Sequence, residues 1–175
     1  MREITLLLHF IGFGIIATLN IAGTILNGQY KKAPDLQTKG TILRAMKPIG
    51  MLSPVAIIIM LVTGIGNMQM IGIRFVGATI DGTYEPGILD VGWLTGKVIL
   101  YLIIAIYGVM FGIKSSKRGA LVGAMIQGKA PANADELLKQ YDKQINMSYY
   151  IFPLFVIAIL FLAIYGRLNG VQYVQ

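Results

Sequence analysis

The sequence predicts an all-α integral membrane protein, a bundle of four transmembrane helices. Three observations predict it. Apolar residues make up 55% of the 175-residue chain and charged residues only 13%, about half the charged fraction of an ordinary soluble domain. The apolar residues collect into four runs, each close to the roughly 20 residues that a helix needs to cross a hydrocarbon core. The lysines and arginines concentrate in two of the three connections, as they do in loops held on one side of a membrane.

The first span is expected over residues 4–26. It is longer than the core of a secretory signal, and removing it would leave three spans with both basic connections outside, so it reads as structure. The second span is expected over residues 49–73, with Pro48 near its start and Pro54 able to kink its first turns. The third, residues 91–113, holds one interior charge, Lys97, and the fourth, residues 147–166, holds Pro153 in its second turn. In hydrocarbon each backbone amide must be satisfied within its own element, which makes such runs helices, and the alternation of a membrane barrel is absent. Residues 1–175 thus read as a single four-span domain.

Charge sets the orientation. Lys31, Lys32, Lys39, Arg44 and Lys47 follow the first span, and Lys114, Lys117, Arg118, Lys129, Lys139 and Lys143 lie in the connection 114–146. Both connections fall on one side of a four-span protein, so they are expected in the cytoplasm with both termini outside, in a multi-pass protein of the cell membrane. The other side receives Arg2, Arg74 and Arg167 with the acidic Asp81, Glu85 and Asp90. The net charge of +7 is then a matter of orientation and anionic-lipid contact, the lipid bilayer being the expected partner and nucleic acid not. Within 114–146, residues 128–134 read as a loop around Pro131. Asn133 with Glu136 three residues later resembles a reciprocal helix cap, from which a polar helix is expected to run unbroken into the fourth span. The far connection, with Asp81-Gly82 and Pro86-Gly87, reads as a turn-rich loop.

The absence of cysteine excludes a disulfide scaffold, a thiolate metal site and an iron–sulfur cluster. The lone histidine, His9, excludes a multi-histidine cage within one copy. No serine has a basic partner at plausible reach and no carboxylate lies inside a span, which sets aside a hydrolase and a carboxylate-driven pump. Gly64 and Gly66 lie inside a span with no strand before them, so no nucleotide site is read there. What remains is polar residues placed where lipid makes them costly. His9, Asn20 and Asn27 fall within about 20° of one line on the first helix. His9 lies about 7–8 Å below the outer end of its helix and Lys97 about 9 Å below the outer end of the third, with Asn67 at a similar level. A charge inside a span is a functional-site hypothesis. Beside it stand plainer readings: Lys97 snorkelling to headgroups, His9 as a neutral interhelical hydrogen bonder, Asn20 and Asn27 as packing glue. Met68 and Met70 lie near the depth of a soft axial ligand, and Gly92/Gly96 and Gly108/Gly112 are spaced for close helix approach.

Leu8-His9 opening the first span, Arg44 before a second span containing Ser53-Pro54-Val55-Ala56, Trp93-Leu94-x-x-Lys97 opening the third, and the stretch from Tyr141 through Asn146 to Pro153 together resemble the CopD/HemJ-type superfamily of small polytopic membrane proteins. That group includes HemJ-type protoporphyrinogen oxidases and CopD-type copper-resistance membrane proteins. The resemblance implies a four-helix membrane bundle in which His9 ligates the iron of haem b, Lys97 meets a propionate or substrate carboxylate and is needed for activity, and Arg44 adds an anionic-group contact. The sequence departs from HemJ-type enzymes at Gly12-Phe13-Gly14-Ile15-Ile16-Ala17, where they carry a tryptophan-containing aromatic stretch, and in lacking their histidines near the end of the third span. A haem with two histidine ligands would have to sit between the protomers of a homodimer. Arg44 is expected some 20–25 Å from His9, as an inner-leaflet anchor, unless the second helix starts earlier and tilts. Three classes of function follow: a haem- or porphyrin-handling redox protein, a non-catalytic accessory or assembly subunit of a larger membrane complex, and a small-solute or copper permease.

Overall fold

The computed structural model describes residues 2–169, without the side chains of Asn169, Arg2 and Arg167, the last two being cations read onto the far side. It consists of four long helices, α1 (Arg2–Lys32), α2 (Leu36–Met70), α3 (Gly92–Ile126) and α4 (Ala134–Asn169), each long and apolar enough to cross a membrane. At 31 to 36 residues each is about 46–54 Å long, against roughly 30 Å for a hydrocarbon core. The surplus lies at the end that carries the basic segments, here called the basic end; the other is the hairpin end.

Two expected boundaries are overturned there. The second helix starts at Leu36 and not near residue 49, because Asp35 caps it: its carboxylate accepts the Thr38 backbone N–H at 2.7 Å. Pro48, expected near a helix start, lies inside α2 together with Pro54. The third helix continues past residue 113 to Ile126, since no breaker arrives before Gly128, whose φ of +69° turns the chain. The unbroken run expected from the cytoplasmic connection into the fourth span is present as α4, straight through Pro153.

At the hairpin end the chain does more than turn. Ala78–Ile80 (β1) and Thr83–Glu85 (β2) pair antiparallel. Asp81 and Gly82 have φ of 49° and 81°, the two positive values that a type I′ turn needs and that Asp-Gly favours. A 3₁₀ turn, Ile88–Asp90, then leads into α3.

The packing is that of two helix hairpins: α1 lies along α2, α3 along α4, and α2 bridges to α3. α1 meets α4 at the basic end, where a Cβ on Gly23 would come within 2.8 Å of the Tyr149 ring. The larger buried cluster is also at the basic end, Leu121, Val122, Ala134 and Leu138 with Leu36, Leu43, Met125 and Tyr141 around it. A smaller one, Met68, Ile73 and Val91, closes the hairpin end. Between them the apolar stretches turn large side chains outward, among them Ile21, Ile58, Val62, Ile106, Val109 and Phe161, an extended apolar outer surface. Among the described residues nothing lies within 4 Å of where the Cβ atoms of Gly108 and Gly112 would be, so the close approach expected there is not seen; Gly96 does face α4, 3.4 Å from Leu162.

Candidate functional site

His9 and Lys97 project from α1 and α3 at the hairpin end. His9 faces α2 because α1 runs along it, and there its Nδ1 lies 2.8 Å from Thr63 Oγ1. The Thr63 hydroxyl has one hydrogen and gives it to the Ile59 carbonyl at 2.6 Å, so towards the imidazole it accepts. That arrangement suits the tautomer protonated on Nδ1, which leaves the lone pair on Nε2. Gly64 leaves room for the ring, its Cβ position being 3.7 Å from His9 Cε1. Lys97 is half-buried on α3, and no carboxylate pairs with it among the described residues. The two residues singled out from sequence thus lie towards the same end of the bundle, on different helices. Asn67 is one turn from Thr63 on α2. Trp93, one turn before Lys97, lays its ring against Gly166 of α4.

The other expected residues are elsewhere. Arg44 is exposed on α2, nineteen residues before Thr63 and hence about 28 Å away along the helix; the early start of α2 does not bring it closer. Met68 is used in the cluster with Ile73 and Val91, and Met70 is exposed. Asn20 bonds its own helix through Ile16 O and lines a cavity of about 380 Å³ between α1 and α4 with Ala17, Thr24, Pro153 and Val156. Asn27, the third polar residue on the α1 line, joins a network that sequence reasoning missed.

That network is at the basic end and centres on Arg118, which the sequence placed in a solvated connection. Because α3 continues through it, Arg118 faces inward and has no exposed surface. Its Nη1 donates to Asn27 Oδ1 at 3.1 Å and to Asp142 Oδ1 at 3.2 Å. Its guanidinium lies 4.4 Å from the Tyr30 ring centroid, and Asn27 Nδ2 donates to Asn146 Oδ1 at 2.7 Å. Lys39 of α2 also lies over Tyr30, at 5.3 Å. A signal was present: Asn27 with Tyr30, and Asp142 with Asn146, are spaced three and four apart, which puts each pair on one helix face.

Outside the spans the titrating groups are structural. The Tyr84 hydroxyl donates to Asp90 at 2.6 Å and the Gly87 N–H at 2.8 Å. Together they hold the Asp90 carboxyl below its usual range, and the same bond raises Tyr84. Thr38 does the same for Asp35. A second cavity, of about 500 Å³, lies beside the ion-paired Arg74 and Glu85 and is lined by Gln69, Ile73 and Phe75. Among the described residues no three histidine, cysteine or acidic side chains gather to hold a metal ion. Comparison of the chain with protein-family models, with curated proteins and with solved structures returns no match in any of the three.

Proposed function

We propose that the protein is a four-span cell-membrane protein, its basic end cytoplasmic, that binds a tetrapyrrole, haem b or a porphyrin, beside His9 and Lys97. The observation that carries this reading is the Thr63 contact. A ligating imidazole is fixed by an acceptor on its other nitrogen, and Thr63 is placed to be that acceptor for His9 Nδ1. The donor set fits: one oriented imidazole that would ligate the iron and one ammonium with no carboxylate paired to it among the described residues, which would take a propionate. His9 and Lys97 would hold the group, which when bound supplies one-electron redox chemistry. The chain's own part is to fix the ring tautomer through Thr63, to place a cation at the same level, and to surround both with apolar side chains. Arg44 belongs in this reading to the cytoplasmic headgroup contact and not to the ligand.

Absorption spectra of the purified protein, as isolated and after titration with haemin, test the proposal. A Soret band that shifts on reduction and is lost in His9→Ala is expected. Its absence in both oxidation states, with equal haemin affinity in wild type and His9→Ala, overturns the reading. One observation favours a second role, as an accessory subunit: Gly108 and Gly112 are open on α3, a small-residue face suited to another membrane helix. That role predicts co-purification with a larger membrane complex, and loss of it in Gly108→Leu.

A further inference from the structure

α1 and α4 meet through the Asn27–Asn146 hydrogen bond and the seat of Tyr149 against Gly23. Beside that contact they leave the cavity of about 380 Å³. Ile21 and Ile25 of α1 and Ile157 of α4 line it and are each more than half exposed, so the cavity is a groove open to the outside of the bundle. The polar donors in its wall are already used: Asn20 Nδ2 donates to the Ile16 carbonyl at 3.0 Å and Thr24 Oγ1 to the Asn20 carbonyl at 2.8 Å. What the groove offers is a concave apolar surface, of a volume within the roughly 300–1,000 Å³ of small-molecule sites.

The face that carries the groove ends in a cation. Ala17, Thr24 and Lys31 are seven apart on α1, so each is turned only about 20° from the one before. Between Thr24 and Lys31 that face passes Gly28, where nothing lies within 4 Å of a Cβ position. On α4 Tyr150 precedes Ile157 by seven and shares its face in the same way. Lys31 Nζ reaches across to the Tyr150 ring, 5.9 Å from its centroid. Both side chains are exposed, and no carboxylate pairs with Lys31 among the described residues.

Depth fits one leaflet. At 1.5 Å per residue Lys31 stands about 9 Å beyond Ile25 and about 21 Å beyond Ala17. Half of a bilayer, headgroups included, measures about 20–22 Å. With Lys31 among the headgroups the groove therefore runs through the acyl region below them. A hydrocarbon chain under a negatively charged head is complementary to an apolar groove under an unpaired ammonium.

We propose that the α1–α4 groove holds an acyl chain of one anionic phospholipid from the leaflet at the basic end, its phosphate held by Lys31 beside Tyr150. The site rests on the four-span reading and is independent of His9 and Lys97.

The experiment places the full-length protein in nanodiscs of phosphatidylcholine with a minor share of phosphatidylglycerol of the same acyl chains, and native mass spectrometry counts the lipids that each chain retains. One phosphatidylglycerol per wild-type chain is expected, in preference to phosphatidylcholine. Thr24→Trp, whose ring would occupy the groove, should lose the retained lipid. Lys31→Gln should lower the preference for phosphatidylglycerol about fivefold, whereas Lys32→Gln, which removes the same charge about 100° round the helix, should keep it. Both lysines are exposed, so these two variants decide even where the tryptophan variant does not fold. No preference for phosphatidylglycerol in the wild type, or an equal loss in Lys31→Gln and Lys32→Gln, overturns the site and leaves the spans standing, as does full retention in a folded Thr24→Trp. Failure of the wild type to enter nanodiscs overturns the spans and the site together.

Discussion

Replacing Asp142 by alanine tests whether the basic end is held by a buried charge pair. Arg118 would keep its bond to Asn27 and its place over Tyr30 but lose its carboxylate at 3.2 Å. Removing one partner of a fully buried pair costs about 3–5 kcal/mol. Asp142 retains 26% of its side-chain surface, so water already screens part of the attraction, and the expected loss is about 2–3 kcal/mol. Arg118→Met leaves no buried charge behind; it forfeits the ring contact, worth about 1–2 kcal/mol when desolvated. In the double variant the alanine has no charge left to orphan, so it should match Arg118→Met alone. The coupling in the double-mutant cycle is then about 2 kcal/mol. The assay is equilibrium unfolding in mixed micelles without phosphate, where Asp142→Ala should also lower the midpoint temperature by about 4–10 °C. Additivity of the two changes within about 0.5 kcal/mol would refute the reasoning, since it would mean that the pair shares no energy.

Three further outcomes follow from the same structure. Thr63→Val keeps the shape of its site and removes the acceptor that sets the His9 tautomer, so haemin affinity measured by Soret titration should fall about 10–100-fold with the helical signal unchanged. Gly23→Ala, whose methyl would meet the Tyr149 ring at 2.8 Å, should cost about 1–3 kcal/mol, whereas Gly14→Ala, with open space around it, should be neutral or stabilise by up to about 1 kcal/mol; equal effects in the mixed-micelle assay would remove the α1–α4 contact from the argument. The Tyr84–Asp90 clamp should be pH-independent between the two groups' ordinary values. Asp90 is held low, so its contribution is present above about pH 4 and is lost as pH falls through its folded value, while that of the raised Tyr84 is lost only as pH climbs through its own. Amide protection factors across residues 78–90, taken relative to the intrinsic exchange rate at each pH, should therefore fall below about pH 4 in the wild type and stay constant there in Asp90→Asn.

The four helices were legible because hydropathy and loop charge are coarse signals that tertiary packing does not alter. That His9 and Lys97 lie towards one end of the bundle was legible for a related reason: depth along a helix is arithmetic, and both lie a similar number of residues from the same end. Which face each residue presents was not, since Thr63 emerges as the partner of His9 only once α1 lies along α2. Arg118 was misplaced because its helix continues where hydropathy stops. A basic stretch beside a span looks the same whether it is a solvated loop or the next three turns of the span, and what decides between them here is the cap at Asp35 and the late breaker at Gly128. The β1–β2 hairpin was written in Asp81-Gly82, although three-residue strands are too short to show any alternation.

In the proposed bilayer, helix association gains nothing from burying leucine that lipid tails would not also supply, so polar contacts and close steric fit set the order of the bundle. Those contacts are unevenly placed. At the basic end Arg118, Asn27, Asp142 and Asn146 join α1, α3 and α4 in one network. Further up the ties are pairwise: Tyr101 donates to the Ile57 carbonyl between α3 and α2 at 2.6 Å, Tyr107 meets Ser148 between α3 and α4 at 3.0 Å, and His9 meets Thr63 between α1 and α2 at 2.8 Å. None of these three joins α1 to α4, and it is between those helices that the cavity beside Asn20 opens. Separating α1 from α4 at the basic end breaks the Asn27–Asn146 hydrogen bond and pulls Asn27 from Arg118, whose charge pair with Asp142 joins α3 to α4. The buried charge of the bundle is thus tied at the end opposite the one that holds His9 and Lys97.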